Sequence, residues 1–385
     1  MRETGTLSMI EFLASFFYNV FPFIIILSLL VFVHEMGHYL VALRNGVRVD
    51  VFSIGFGPEI FGWHDKRGTR WKVSYVPLGG YVRFFSDANA ASQPDFASIE
   101  AMSEEDKAST LFHKTVWQRM AISFAGPAAN YLYALVVLTL LYAVMGARVP
   151  TGEVLIGQVM EGSAAQKAGI APQDILVSMD GERLATPTAV QNFVKTRPGQ
   201  EVHAVIKRAG HEMALPITLG EKATHNKRLG TLGVELGAGT KHVDIALYAA
   251  PWEATKQIGH VTWDSLATFG QMIMGERSAD GLSGPIGIAL FAGEAAKRDL
   301  FELVWLSVFL SISLGLINLF PIPMLDGGHI LFYTIEAVRG KPLSEKAQEI
   351  GFRIGFAIVG TLIVFSTWND LSRLKIFGWI AQLFN

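Results

Sequence analysis

The sequence predicts a polytopic α-helical membrane protein with about four transmembrane helices, a β-hairpin region and one inserted α+β domain. Three observations carry this reading. Of 385 residues, 50% are hydrophobic and only 17% charged, against roughly 25% charged in soluble domains, and the mean hydropathy is +0.34. Three stretches are apolar for the roughly 20 residues that a helix needs to cross a bilayer, and a fourth is shorter. Between the second and third of them lies a segment of ordinary soluble character. Composition also excludes chemistry. With no cysteine, disulfides, thiolate zinc sites, iron–sulfur clusters and thiol catalysis are ruled out. A net charge of −2 gives no reason to expect nucleic acid.

The first span, within residues 1–45, covers 12–43 and is interrupted by Asn19, His34, Glu35 and His38. It is too long for a signal-peptide core, and no small-residue cleavage site follows. Residues 46–116 begin with apolar–polar alternation between glycines, such as Gly55-Phe56-Gly57-Pro58 and Leu78-Gly79-Gly80-Tyr81-Val82. That is the pattern of hairpins, placed on the cytoplasmic side, and residues 86–110 read as a loop. The second span (within 117–148) holds Asn130, the third (300–326) is apolar over 300–320, and the fourth (within 327–385) covers about 354–368 between Arg353 and Asp370. Lys and Arg cluster after the first span, before the second and between the third and fourth. By the positive-inside rule the amino terminus and the segment 147–298 lie outside the cytoplasm. Residues 149–238 alternate strands with one short and one longer helix, an α+β module. Residues 239–299 form a linker region, with a possible amphipathic helix at 248–275 lying on the outer membrane surface.

The chemistry concentrates where charge is costly. His34-Glu35-Met36-Gly37-His38 stands inside the first span. Histidines at i and i+4 share one helical face and can hold Zn²⁺, and the Glu beside the first can take a proton from metal-bound water. A Glu inside a membrane helix must face a cavity or a partner. Two histidines leave a catalytic zinc short of a third protein ligand. The third span ends, on the same side as His38, in Asn318-Leu319-Phe320-Pro321-Ile322-Pro323-Met324-Leu325-Asp326-Gly327-Gly328-His329. Two prolines break the helix there. Asp326 and His329 are both candidates for the third ligand, and spacing does not choose between them; Asp326 also suits a helix N-cap.

His-Glu-x-Gly-His, an inserted module with Gly162-Ser163-Ala164-Ala165, and Asn-x-x-Pro-x-Pro-x-x-Asp-Gly together resemble the site-2 protease family, in its bacterial RseP-type branch of intramembrane zinc metalloproteases. Phe124-Ala125-Gly126-Pro127-Ala128-Ala129-Asn130 and Leu282-Ser283-Gly284-Pro285-Ile286-Gly287 extend the likeness along most of the chain. The module at 149–238 resembles a single bacterial-type PDZ domain, whereas the best-known enterobacterial members carry two.

The resemblance implies that His34, His38 and Asp326 bind Zn²⁺, with Glu35 as the catalytic base. It implies that residues 47–85 form a membrane-associated β-hairpin region near the site, with substrate contacts at Asn318, Pro321 and Pro323 and at the hairpin residues Gly79, Gly80 and Tyr81. The expected activity is hydrolysis of peptide bonds within transmembrane segments of single-span proteins, that is, regulated intramembrane proteolysis of a pre-trimmed anti-sigma factor or of remnant signal peptides. The expected location is the bacterial cytoplasmic (inner) membrane, multi-pass, with the PDZ domain extracytoplasmic and the active site near the cytoplasm. Expected partners are the lipid bilayer, single-span substrates and a peptide or substrate ectodomain at the PDZ domain. Two other classes fit the residues less well. A membrane-anchored PDZ receptor with a structural metal needs no base beside its ligands, and a transporter needs ionisable residues in several spans and inverted repeats.

Overall fold

The computed structural model describes residues 9–87, 99–224, 227–276, 279 and 282–373. It divides into two compact units, Met1–Tyr142 with Leu247–Asn385, and Ala143–Ala246.

Among the described residues of the first unit, four helices are long and apolar enough to cross a membrane. They belong to α1 (Met9–Arg44), α3 (Val116–Met145), α8 (Leu300–Asn318) and α10 (Glu345–Arg373). An α-helix satisfies its own backbone hydrogen bonds, which lipid cannot do. The remaining helices of this unit are α2 (Glu104–Ser109), α6 (Ala250–Ile273), α7 (Pro285–Arg298) and α9 (Asp326–Arg339).

Three expectations need correcting. The fourth helix runs beyond 354–368 at both ends and takes in Arg353 and Asp370. Asp370 is buried and accepts from the backbone N–H groups of Gly284 and Gly287, at 3.0 and 2.9 Å, at the start of α7. A carboxylate so paired no longer ends a span. Part of 86–110 is ordered as α2, whose Ser103 hydroxyl accepts from Asp106 N–H at 3.1 Å, although residues 88–98 lie outside the described residues. The amphipathic helix expected on the membrane surface is α6, and it runs along α3 and α8. Tyr131 meets Thr262 at 3.3 Å, and the Phe269 and Phe320 rings lie 5.6 Å apart.

The hairpin region consists of two long strands, β1 (Val49–His64) and β2 (Arg70–Phe84). Both bend, so the pairing has four segments. Residues 51–54 pair with 80–83 on one side and with 70–73 on the other, and 61–64 pair with 70–73 beyond. The segment around Gly80–Val82 therefore forms an edge. The sheet leans on the end of α1. Phe52 stacks on Trp71 at 4.2 Å, and both meet the Tyr39 ring edge-on. At the tip, Asp65 accepts from Tyr39 Oη at 2.8 Å, Trp71 Nε1 at 3.0 Å and the N–H groups of Arg67 and Thr69. Burial raises the Asp65 pKa, but these donors outweigh it and hold the carboxyl below its ordinary value. The hairpin is thereby tied to the residue next to His38.

The second unit has a sheet in the order β10-β3-β4-β6-β7, with β5 on β4, and a separate β8–β9 hairpin. Its strands are β3 (Ala147–Val159), β4 (Ile175–Met179), β5 (Glu182–Arg183), β6 (Glu201–Arg208), β7 (His211–Thr218), β8 (Gly220–Thr224), β9 (Lys227–Thr231) and β10 (Val234–Val243). Its helices are α4 (Ala164–Lys167) and α5 (Pro187–Lys195). Val154, Ile156, Leu176, Met179, Val190 and Ile206 lie in one buried core. The unit extends past the expected limits of 149–238, because Thr240–Val243 of β10 pair back onto Ala147–Pro150 of β3.

One ion pair ties the loop after α4 to β6. Arg208 donates to both oxygens of the buried Asp174 at 2.7 Å. These hydrogen bonds hold the Asp174 carboxyl below its ordinary pKa. A depressed folded pKa means that the contribution is complete above the unfolded value and is lost as pH falls through the folded one. Asp174→Asn is expected to lower the protection of β4 and β6 amides by about 1.5–3 kcal/mol near neutral pH. The difference should vanish in acid, as read by hydrogen exchange.

Candidate metal centre

The site forms where α1, α3 and the turn between α8 and α9 meet. On α1, His34 and His38 lie one turn apart, with ring centroids 4.8 Å apart and planes at 81°. Both are buried, as is Glu35 between them. A bulky neighbouring helix would crowd these rings, and α3 avoids this with small residues. A Cβ on Gly126 would fall on His38 Nε2 and close to His34 Cε1, and a Cβ on Gly37 would fall on the carbonyl of Ala125. Pro127 inside α3 removes the N–H that Ser123 C=O would accept and loosens that turn. In the same turn the carbonyl of Ile122 accepts from His38 Nδ1 at 2.8 Å. A carbonyl only accepts, so Nδ1 carries the proton and Nε2 is left as a lone pair.

The third member arrives from α9. Met324 has φ 89°, a left-handed conformation that costs a side-chain-bearing residue about 1–3 kcal/mol. It turns the chain after Pro321 and Pro323 so that Asp326 opens α9. The N-cap position is Leu325 rather than Asp326, without a side-chain cap hydrogen bond. Gly327 and Gly328 make the turn compact: a Cβ on Gly327 would meet the carbonyls of Leu319 and Phe320, and one on Gly328 the carbonyl of Ile322.

The donor set has the dimensions of a metal site. His34 Nε2 lies 3.2 Å from Asp326 Oδ2, His38 Nε2 3.3 Å from Asp326 Oδ1, and the two Nε2 atoms 3.3 Å apart. Ligands at about 2.0–2.1 Å around a tetrahedral zinc stand about 3.3–3.4 Å apart. Asp326 Oδ2 is buried without a hydrogen bond. Three acceptor atoms facing one another call for a cation, and among the described residues these three form the one group able to hold a metal. His329 does not join them; its ring lies 6.2 Å from Tyr333 and 5.5 Å from Phe352.

Glu35 lies against the hairpin edge: a Cβ on Gly80 would come to 3.4 Å from its Cγ, and the Val82 backbone is near enough to act on its carboxylate. Gly80 permits the approach, because a Cβ there would meet Val31 and the carbonyl of Ser53. Gly79 lies under the Phe56 ring, and Tyr81 stacks on Phe56 at 6.1 Å. Asn318 turns back on its own helix, donating to Leu314 C=O at 3.0 Å. Pro321 and Pro323 stay in the connecting turn, Pro323 against Gly355.

Two contributors carried no assigned role in the sequence. Gly126 acts only through a helix–helix contact. In the sequence Asn130 is simply a polar residue inside a span, which is itself the signal. It is fully buried, with Nδ2 3.1 Å from His34 Nδ1 and with Oδ1 unpaired. The amide is the same shape either way round. Turned over, it satisfies Oδ1 with the His34 Nδ1–H and leaves Nε2 as a lone pair, the tautomer a metal requires. Asn130→Leu is therefore expected to weaken zinc binding by about 10–100-fold, measured by chelator competition. Asn130→Asp, which keeps the acceptor, should retain it.

Two imidazoles, a converging carboxylate and a second carboxylate beside them make a metallohydrolase-type centre inside a polytopic membrane protein. Comparison with known proteins narrows the class. The model of peptidase family M50 matches residues 22–362. "Putative zinc metalloprotease Atu1380" of Agrobacterium fabrum is 42% identical over 363 residues, 92% of this chain and 96% of that protein. Metalloprotease MmpA of Caulobacter vibrioides is 36% identical over 390 residues, covering 93% and 96%. Zinc metalloprotease RasP of Geobacillus kaustophilus is 29% identical over 420 residues, covering 92% and 98%. The chain belongs to peptidase family M50, the site-2 proteases. It is a zinc metalloprotease, with Zn²⁺ as its cofactor, in a bacterial membrane.

Proposed function

We propose that this protein hydrolyses peptide bonds within transmembrane segments of single-span membrane proteins, in regulated intramembrane proteolysis. His34, His38 and Asp326 hold the zinc through their converging atoms. Bound there, zinc supplies a Lewis acid for the scissile carbonyl and lowers the pKa of water. Glu35 takes the water proton and returns it to the leaving amine. His38 and His34 are held as lone-pair donors by Ile122 C=O and Asn130.

The observation that carries this reading is the meeting of Glu35 with the sheet edge at Val82. A transmembrane substrate hides its carbonyls in helical hydrogen bonds, and an edge strand offers the unwound segment replacement partners. Gly79, Gly80 and Tyr81 belong to that edge, and Asn318, Pro321 and Pro323 flank the turn that delivers Asp326. Residues 149–238 act as a single extracytoplasmic PDZ module that excludes bulky ectodomains or binds a peptide. Substrates are then helices already trimmed outside, such as an anti-sigma factor or remnant signal peptides, and the centre lies near the cytoplasmic face.

The test is cleavage of a trimmed single-span substrate by the purified full-length protein. A zinc chelator should stop cleavage, added zinc should restore it, and a helix-breaking pair in the substrate should raise the rate. Cleavage that persists after complete zinc removal would overturn the reading.

A further inference from the structure

The helix α6 has three faces rather than two. At 100° per residue, Ala254, Ile258, Thr262 and Phe269 form one sector, and these meet the rest of the unit: Ala254 and Ile258 are buried, Thr262 bonds Tyr131, and Phe269 meets Phe320. Trp252, Trp263, Leu266 and Ile273 form a second sector, exposed and apolar. Glu253, Lys256, Gln257, His260, Asp264 and Gln271 fall in a third, about 100° wide. Lys256, His260, Asp264 and Gln271 in it are exposed.

The depth of this polar sector is fixed by its neighbours. Thr262 is bonded to Tyr131, midway along the spanning helix α3. His260 and Asp264 flank Thr262, so they lie level with the middle of α3, a helix long and apolar enough to span the membrane. Glu253, higher on the helix, is within electrostatic reach of Tyr142 near the end of α3. Phe269 meets Phe320, whose carbonyl packs against Gly327, the residue after Asp326. The sector thus runs from the end of α3 down to the level of Asp326. Exposed ionisable side chains at mid-membrane depth face a water-filled space rather than lipid, whereas the tryptophan sector suits hydrocarbon.

We propose that the face of α6 formed by Lys256, His260, Asp264 and Gln271 lines a water pathway. It leads from the membrane surface where α3 ends to the depth of His34, His38 and Asp326. Such a path would bring hydrolytic water to a centre set within lipid, on the side away from the hairpin sheet. It serves the hydrolytic reading above, but its test reads water access alone, so either can fail without the other.

The chain has no cysteine, so single thiols can be placed without background. Full-length protein in membranes carries Cys in place of Lys256, Gln257, His260, Asp264 or, in the apolar sector at the same depth, Trp263. Each variant is kept only if it retains zinc, and each is treated with a charged, membrane-impermeant methanethiosulfonate. The expected result is modification of His260→Cys and Asp264→Cys at least about 10-fold faster than Trp263→Cys, with Lys256→Cys and Gln257→Cys grouped with them. Equal, slow reaction at 260, 264 and 263 would overturn the pathway, because the polar sector would then be covered by lipid or protein. Equal, fast reaction at all three would also overturn it, because α6 would then lie in bulk water.

Discussion

Replacing Glu35 by Gln is expected to lower the cleavage rate by at least about 10²–10⁴-fold, the range of a positioned general base, while zinc stays bound. Gln keeps the shape of Glu and can still meet the Val82 edge, but it cannot accept the proton. The carboxylate lies between the two histidines in sequence and is buried with them, yet it is not one of the three converging groups. Loss of activity with zinc retained separates proton transfer from metal holding. Metal content by emission spectroscopy and single-turnover cleavage read the two independently. Undiminished cleavage by Glu35→Gln would remove the base from the mechanism.

Gly126→Ala is expected to be nearly as severe, by a different route. The added methyl would occupy the position of His38 Nε2 and press on His34. α3 cannot retreat easily, because Ser311 on α8 donates to the carbonyl of Asn130 at 2.9 Å and Ile122 holds His38. The rings must therefore turn away from their common focus. Zinc affinity should fall by at least about 10–100-fold, the usual cost of misplacing the groups behind a ligand, and activity should fall with it. Excess zinc should restore part of the activity of Gly126→Ala and none of that of Glu35→Gln. A Gly126→Ala protein with native zinc affinity would mean that α3 does not form the back wall of the site.

The four spans were legible because a bilayer imposes one dominant constraint, apolar length. What escaped were the places where a tertiary partner cancels a charge. Asp370 read as the end of a span, but two backbone N–H groups at the start of α7 take it inside. The charges of α6 read as a sign of the membrane surface, whereas a packed sector on another side holds the helix beside α3 and α8. Alternation in residues 46–85 announced strands, but the bending that pairs 51–54 on both sides was not readable from period alone.

At the site, the i and i+4 spacing brought His34 and His38 together in the reading as it does in the structure. Asp326 and His329 were equal candidates by spacing; the resemblance favoured Asp326, and it is Asp326 that the structure brings to them. The difference depends on the left-handed turn at Met324, and nothing in a methionine announces that conformation. The parts played by Gly126 and Asn130 belong to contacts between helices, which a single-sequence pattern does not contain.

In the proposed mechanism His34, His38 and Asp326 together hold the zinc. Zinc X-ray absorption on the loaded full-length protein tests it most directly, comparing wild type with Asp326→Asn and His34→Ala. Two imidazoles and oxygen ligands at about 2.0–2.1 Å are expected in the wild type. One imidazole should be lost in His34→Ala, and affinity should fall sharply in both variants. Three imidazoles in the wild type, or an unchanged spectrum and affinity in Asp326→Asn, would contradict it.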